Sequence, residues 1–409
     1  MRVRVTRRGV AAAVAALVLT GAGLVSAAAT GPAQAAPAPA AADPWPPDDS
    51  FYVPPSPLPA GKPGDVLRWR PSKPGPSSKT VNAWQVMYLS TDALGKPNAV
   101  TGTVLLAKNA DPATAPVVAL TPGTHGPAFQ CAPSKMLSIG AFYEQPALDG
   151  LLGAGYAVAM TDYEGYQPEP KTTYMVGQSM GHATLDSVRA AMRLPEAGLS
   201  ADAKVAVRGY SQGGGAAMWA GQQQPEYAPE LKLVGVAGGG VPADLVQVSL
   251  SLEGKRGFGF LVYALMGLDA AYPELKLDSY LNDHGRTEFA KMRAGACTAD
   301  LLLDYSNRKL IEFMAKSPVL EPAWLARIKE NKLGATPIKV PVFDYHGTRD
   351  DIVSFRQAET LRNDYCKLGV AVTWKTYDSD HITPIYTGNA DALQFLADRF
   401  ADKPAAPNC

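Results

Sequence analysis

Histidine and cysteine are scarce in this chain of 409 residues, five and four respectively. Neither sign of charge is in excess, with 38 basic and 38 acidic side chains. Each shortage removes a class of function. No cysteine stands in a C-x-x-C pair or near a histidine at ligand spacing, so no zinc site is written in the sequence. A nucleic-acid binder carries basic stripes that neutralise phosphates, and this charge balance argues against one. Beyond Val25 no segment approaches the ~18 uninterrupted apolar residues of a membrane-spanning helix. No internal repeat recurs at a solenoid period.

The N-terminus holds what the rest lacks. Arg2, Arg4, Arg7 and Arg8 precede an apolar run from Val10 to Val25, and a small-residue stretch then ends in Ala33-Gln34-Ala35. This is the pattern of an export signal over residues 1–35, cleaved at an A-x-A site, and it predicts a secreted protein. Its removal takes away four arginines and no acid, so 34 − 38 leaves a charge of −4. Residues 36–64 are dense in proline and alanine and read as a leader or wrapping arm. Roughly 340 residues, 65–409, are left for a domain with a sizeable insertion. Cys131, Cys297, Cys366 and Cys409 are an even number in an exported chain, which points to disulfides with three pairings open.

Short apolar runs alternate with helical patterns. The expected strands are Trp84–Leu89, Val100–Leu106, Val117–Leu120, Tyr156–Met160, Val205–Gly209, Leu233–Ala237, Val340–Tyr345 and Val372–Tyr377. The first two flank Lys96-Pro97-Asn98, a turn signal, and are expected to pair antiparallel at a sheet edge. The later ones are mostly β-branched and apolar, as strands covered on both faces must be. Helical stretches at Leu185–Arg193, Gly213–Gln222, Gln357–Leu368 and Ala390–Phe400 complete a mostly parallel, doubly wound α/β sheet. From about 241 to 336 only helical patterns occur. A helical cap is therefore expected over the C-terminal edge of the sheet, where ligands bind in open α/β folds.

Two G-x-S-x-G segments occur, around Ser179 and around Ser211. A nucleophile elbow is a strained turn joined directly to a strand before it and a helix after it. Val205-Ala206-Val207-Arg208 leads straight into Gly209-Tyr210-Ser211-Gln212-Gly213, and Gly214, Gly215, Ala216 and Ala217 follow, small enough to bring a helix close to the sheet. Ser179 is separated from its upstream strand by a proline-containing loop and reads as a helix N-terminal residue. A serine hydroxyl needs a base, and in this fold an acid and then a histidine follow it in the chain. Of the three later histidines, His284 falls in the insertion and His346 ends a strand upstream of any loop acid. His381 lies in a loop after a strand, where the base belongs. The acid is Asp350, with Asp351 as the neighbouring alternative. The oxyanion donors are the N–H of Gln212 and one from Thr121-Pro122-Gly123-Thr124-His125-Gly126, either Thr124 or His125.

Taken together, these residues resemble the secretory lipase family of lipase A-type α/β-hydrolases. The likeness is carried by Pro122-Gly123-Thr124 with Cys131-Ala132-Pro133-Ser134, Gly155-Tyr156-Ala157-Val158, and Thr161-Asp162-Tyr163-Glu164-Gly165. It continues through Gly209–Gly214, Gly240-Val241-Pro242-Ala243-Asp244 and His346-Gly347-Thr348-Arg349-Asp350, from about Trp84 to the C-terminus. The resemblance implies a capped α/β-hydrolase acting on carboxylic esters of small molecules or lipids, with transient contact at a lipid interface. It implies no metal, no cofactor and no obligate protein partner. It places a triad on Ser211, Asp350 and His381, and it favours bonding Cys131 to Cys297 and Cys366 to Cys409. An exported serine peptidase and a non-catalytic binding protein on the same scaffold are the competing readings. Within the insertion, Phe258, Leu261, Val262 and Leu265 fall on one helical face and Phe260 and Met266 widen it. The stripe is either cap core or the wall of an acyl pocket, with Phe260 and Met266 as the pocket residues.

Overall fold

The computed structural model describes residues 49–409. The expected signal, residues 1–35, and the first part of the leader lie outside the described residues. Nine strands form one sheet: β1 Val66–Pro71, β2 Val81–Thr91, β3 Pro97–Ala107, β4 Val117–Thr121, β5 Ala157–Thr161, β6 Lys204–Tyr210, β7 Lys232–Gly239, β8 Val342–Gly347 and β9 Val372–Tyr377. Their order is β1-β2-β3-β5-β4-β6-β7-β8-β9. Strands β5 and β4 through β9 are parallel, and β1, β2 and β3 add on antiparallel.

Every residue of β4 and β5 is buried because helices cover both faces. On one face lie the helices Gly177–Arg193 and Gln212–Tyr227; on the other lie Gln145–Gly153 and Asn389–Phe400. Two differences from the sequence reading concern the edge. The expected edge pair is longer than its apolar runs, since Thr91 already faces Pro97 across a turn in which Asp92 Oδ1 accepts from the N–H groups of Leu94 and Lys96. The edge itself is β1, which sequence periodicity missed. Val66-Leu67-Arg68-Trp69-Arg70-Pro71 has two arginines among its six residues and none that is fully buried, and Pro71 closes it where no ladder donor is needed.

Between β7 and β8 the described residues form α-helices at Leu245–Leu252, Phe258–Ala271, Asp283–Gly295, Thr298–Leu303, Leu310–Phe313 and Pro322–Glu330. A single β-bridge, Leu281 to Met314, joins two of the connecting segments. Asp244 starts this region as an N-cap, its carboxylate accepting from the N–H groups of Val246 and Gln247. The helix Phe258–Ala271 is buried on nearly every side, and its apolar side chains are continuous with the core of the underlying sheet face. Phe51 and Tyr52, from the proline-rich segment, pack with Phe129, Ala132 and Tyr166, and the Tyr52 hydroxyl lies 2.7 Å from Ser134 Oγ.

Cys131 is bonded to Cys297, joining the loop after β4 to the helices beyond β7, and Cys366 is bonded to Cys409 across 43 residues. In the chain-entropy picture the second closure stabilises by about 4 kcal/mol at most. Cys409→Ser is therefore expected to lower the thermal midpoint by several degrees with little change in catalytic rate. An unchanged midpoint would mean that the tail bond does not constrain the unfolded chain.

Candidate active site

Ser211 occupies the single residue between β6 and the helix Gln212–Tyr227, at φ 57° and ψ −121°. An L residue holds such a conformation only when its surroundings impose it. Its N–H donates to the Gly239 carbonyl at the end of β7 (2.8 Å), and its carbonyl accepts from Gly215 (2.9 Å). A Cβ on Gly213 would run into the Thr121 carbonyl, and one on Gly209 into the Thr121 hydroxyl and the Gly213 carbonyl. The two motif glycines thus let the turn press against the end of β4.

His381 follows β9. Its Nε2 is 2.9 Å from Ser211 Oγ and its Nδ1 is 2.6 Å from Asp350 Oδ2. The Tyr210 hydroxyl donates to the His381 carbonyl (2.7 Å), which fixes the backbone behind the ring. Asp350 Oδ1 accepts from the N–H groups of Ile352 and Val353 at 2.9 and 2.7 Å. Burial would push the Asp350 carboxyl up, but the imidazoles of His381 and His346 beside it outweigh this and hold it far below the usual carboxylate range. Asp351, the alternative acid, meets the backbone N–H of His381 (3.4 Å) and pairs with Arg256 (3.1 Å); it does not reach the imidazole. Ser179 is not part of this group. It sits in the first turn of the helix Gly177–Arg193, with its hydroxyl 2.5 Å from Glu164 Oε2 and 2.8 Å from Thr173 Oγ1.

The loop after β4 faces Ser211. The Gly123 N–H donates to Glu144 Oε2 (2.7 Å), and Thr124 Oγ1 lies 2.8 Å from the Tyr174 hydroxyl. Thr298 holds the loop from the cap side: its hydroxyl donates to the Thr124 carbonyl and its N–H to the His125 carbonyl (3.0 Å). Among the described residues no hydrogen bond engages the N–H of Thr124, His125 or Gln212. The His125 ring is stacked on Phe142 and Tyr143, and burial pushes its imidazole down to about 4. No group of three or more histidine, cysteine or acidic side chains is arranged to hold a metal ion among the described residues.

Two apolar cavities meet at Ser211. A narrow one of about 40 Å³ is lined by Leu245, Leu261, Leu265, Leu268 and Val353 among others. A wider one of about 380 Å³ runs past Thr124, His381, Tyr143, Leu302 and Ile385. Phe260 and Ile352 line both. Met266 lines neither. It faces a separate cavity with Pro127, Phe129 and Pro168, so its expected place in the pocket is corrected. The reason is helical geometry: six residues from Phe260 turn the side chain about 120° away, and this helix is buried on both of those faces.

Two residues that hold this site, Glu144 and His346, and a buried acid of β8, Asp344, escape the sequence reading. Glu144 opens a short helix and has no signature there. His346 has no place as a base in the chain order, and only the fold puts its ring behind Asp350. Asp344 did carry a signal, an acid within the apolar run Val342-Phe343-Asp344-Tyr345; it is fully buried, and that burial raises its carboxyl to about 7. Burial likewise pushes the Glu144 carboxyl up, from 4.5 to about 7, against the lowering effect of the Gly123 N–H. Between these two values the folded chain binds more protons at Glu144 than the unfolded chain does, so stability falls as pH rises through that window. Glu144→Gln should reduce this slope, with Asp344 supplying what is left, and raise stability at pH 8 by roughly 3 kcal/mol at most. Thermal midpoints across pH 4.5 to 8 measure it, and a variant with the parent slope would show that Glu144 does not titrate there.

The family profile described as secretory lipase matches residues 131–408. Lipase 6 of Candida albicans is 34% identical, covering 89% of this chain and 83% of its own length. A secreted triacylglycerol lipase of Malassezia furfur is 29% identical over 88% of this chain and 77% of its own. Among solved structures, Candida antarctica lipase A in its closed state superposes with a TM-score of 0.80 at 25% identity, covering 88% of this chain and 87% of that one. The rice cell wall degrading esterase of Xanthomonas oryzae shares the fold at a TM-score of 0.66 and 19% identity, covering 84% of this chain and 99% of its own. With a profile that spans most of the chain and a relative above 30% identity over nearly all of it, this protein belongs to the secretory lipase family and is an ester hydrolase of the α/β-hydrolase fold.

Proposed function

We propose that the chain is a secreted lipid-ester hydrolase working through an acyl-enzyme on Ser211. The observation that carries this reading is the unbroken line from Ser211 Oγ through the His381 ring to Asp350 Oδ2, at 2.9 and 2.6 Å, opening into apolar cavities. His381 Nε2 accepts the serine proton as Ser211 Oγ attacks the ester carbonyl, and returns it to the departing alcohol. Asp350 orients the ring and balances its charge. The N–H groups of Gln212 and Thr124, free of internal partners, receive the oxyanion. Water then repeats the sequence and releases the acid. Residues 65–409 act as the catalytic domain, with the helices of 241–336 as its cap. Export rests on the pattern of residues 1–35 and on relatives that are named as secreted. Transient contact with a lipid surface is supported by large apolar side chains of the cap region that are exposed one by one, Leu303, Ile311 and Leu320.

Ser211→Ala is expected to abolish hydrolysis of p-nitrophenyl esters and labelling by a fluorophosphonate, a loss of several orders of magnitude in kcat. Ser179→Ala should keep most of the activity. A dead Ser179 variant beside an active Ser211 variant would reverse the assignment.

In this reading the acyl chain lies in the wider cavity, whose volume is near the lower end of the usual range for ligand pockets. Each methylene buried there contributes ~0.8 kcal/mol, so activity should rise from acetyl to medium acyl length. Phe260→Ala joins the two cavities and should move the optimum to longer chains, while Met266→Ala should leave it in place. A panel of esters of increasing acyl length tests this. A preference for acetyl esters that neither substitution changes would make Phe260 cap core and the enzyme a short-chain esterase.

A further inference from the structure

His346 is the last but one residue of β8, its backbone pairs with Thr376 of β9, and its ring is fully buried. The strand, not a loop, therefore sets where its imidazole lies. Nε2 is 2.8 Å from the Val353 carbonyl and 3.1 Å from Asp350 Oδ2, the same oxygen that His381 Nδ1 reaches at 2.6 Å. The Val353 N–H in turn donates to Asp350 Oδ1 at 2.7 Å. These contacts close a ring: His346 to Val353, Val353 to Asp350, and Asp350 back to His346. The Val353 carbonyl and an ionised Asp350 can only accept, so the proton must sit on His346 Nε2. His346 then offers one N–H shared between the turn that carries the acid and the acid itself.

We propose that His346 is a positioning residue for the reaction, holding the Asp350 carboxylate in the plane and at the distance that His381 Nδ1 requires. The proposal rests on the triad reading given above. Without His346, Asp350 keeps two backbone donors on Oδ1, but its other oxygen is aligned by His381 alone. The carboxylate could then rotate, and the imidazole with it. The binding cavities do not include His346, so its effect should fall on the chemical step and not on substrate binding.

Two substitutions of equal polarity separate donor placement from packing. The side-chain amide of His346→Gln can reach the position of Nε2, whereas that of His346→Asn reaches only the position of Nδ1. With p-nitrophenyl butyrate as substrate, His346→Asn should lose about tenfold or more in kcat, the scale of a hydrogen bond to a charged group, with KM within twofold of the parent. His346→Gln should stay within about threefold of the parent on the same scale. Thermal midpoints recorded alongside confirm that both variants are folded at the assay temperature. Parental kcat in both variants would overturn the proposal, as would equal losses in both. Ser211→Ala and Asp350→Asn, assayed in parallel, keep the two readings apart. If they are inactive while His346→Asn is fully active, only the positioning role fails; if they retain activity, the triad reading itself fails.

Discussion

A serine held at positive φ is the constraint around which this molecule is arranged. Backbone strain of this kind costs on the order of 1–3 kcal/mol and persists only where neighbours over-determine it. Here the end of β4 and the end of β7 grip the turn from both sides, and the glycines at 209 and 213 remove the atoms that would prevent the approach. That grip requires β4, β6 and β7 to be adjacent and parallel, as they are. Once they are, the loops after β4, β6, β8 and β9 all leave from one edge of the sheet. Thr124, Ser211, Asp350 and His381 meet there although 257 positions separate the first from the last (381 − 124).

The same edge sorts its carboxyl groups by the donors it gives them. Asp350 is buried yet held ionised, because two imidazoles and two backbone N–H groups face it. Glu144 is equally buried and has one backbone N–H, so its carboxyl moves the opposite way. Burial alone does not decide the charge of an acid; the count and placement of donors does. The contrast suits the chemistry proposed for the site, which needs a fixed negative charge behind His381 and little negative charge near a forming oxyanion.

The cap region is bound to this chemistry as well as lying over it. Thr298 donates to the carbonyls of Thr124 and His125, and the Cys131–Cys297 bond ties the same two regions covalently. The helix Phe258–Ala271 shares its apolar core with the sheet and sends Phe260 between the two cavities at Ser211.

Much of this was legible in the linear chain, and the limit falls at a definable point. Strand, glycine-flanked serine and small-residue helix are consecutive, so the turn at Ser211 could be read from local sterics alone. Chain order leaves three of the five histidines after Ser211, and the loop position behind a strand selects His381. Eight of the nine strands declare themselves by apolar or β-branched runs, β9 at the far edge among them; β1 does not, because Arg68, Arg70 and Pro71 break its run. Cysteine spacing left three pairings open, since a covalent link depends on distances that only the folded chain defines. The faces of the helix Phe258–Ala271 are the clearest case. Because it is apolar all round, periodicity cannot say which side meets the substrate, and only packing against Tyr174 and Leu301 turns Phe260 toward Ser211 and Met266 away. Glu144 and His346 likewise acquire their roles from residues 21 and 7 positions distant, through contacts that no local pattern encodes. Local steric rules determine the elements and the turn at Ser211, and the long-range packing of those elements decides which side chains face that turn.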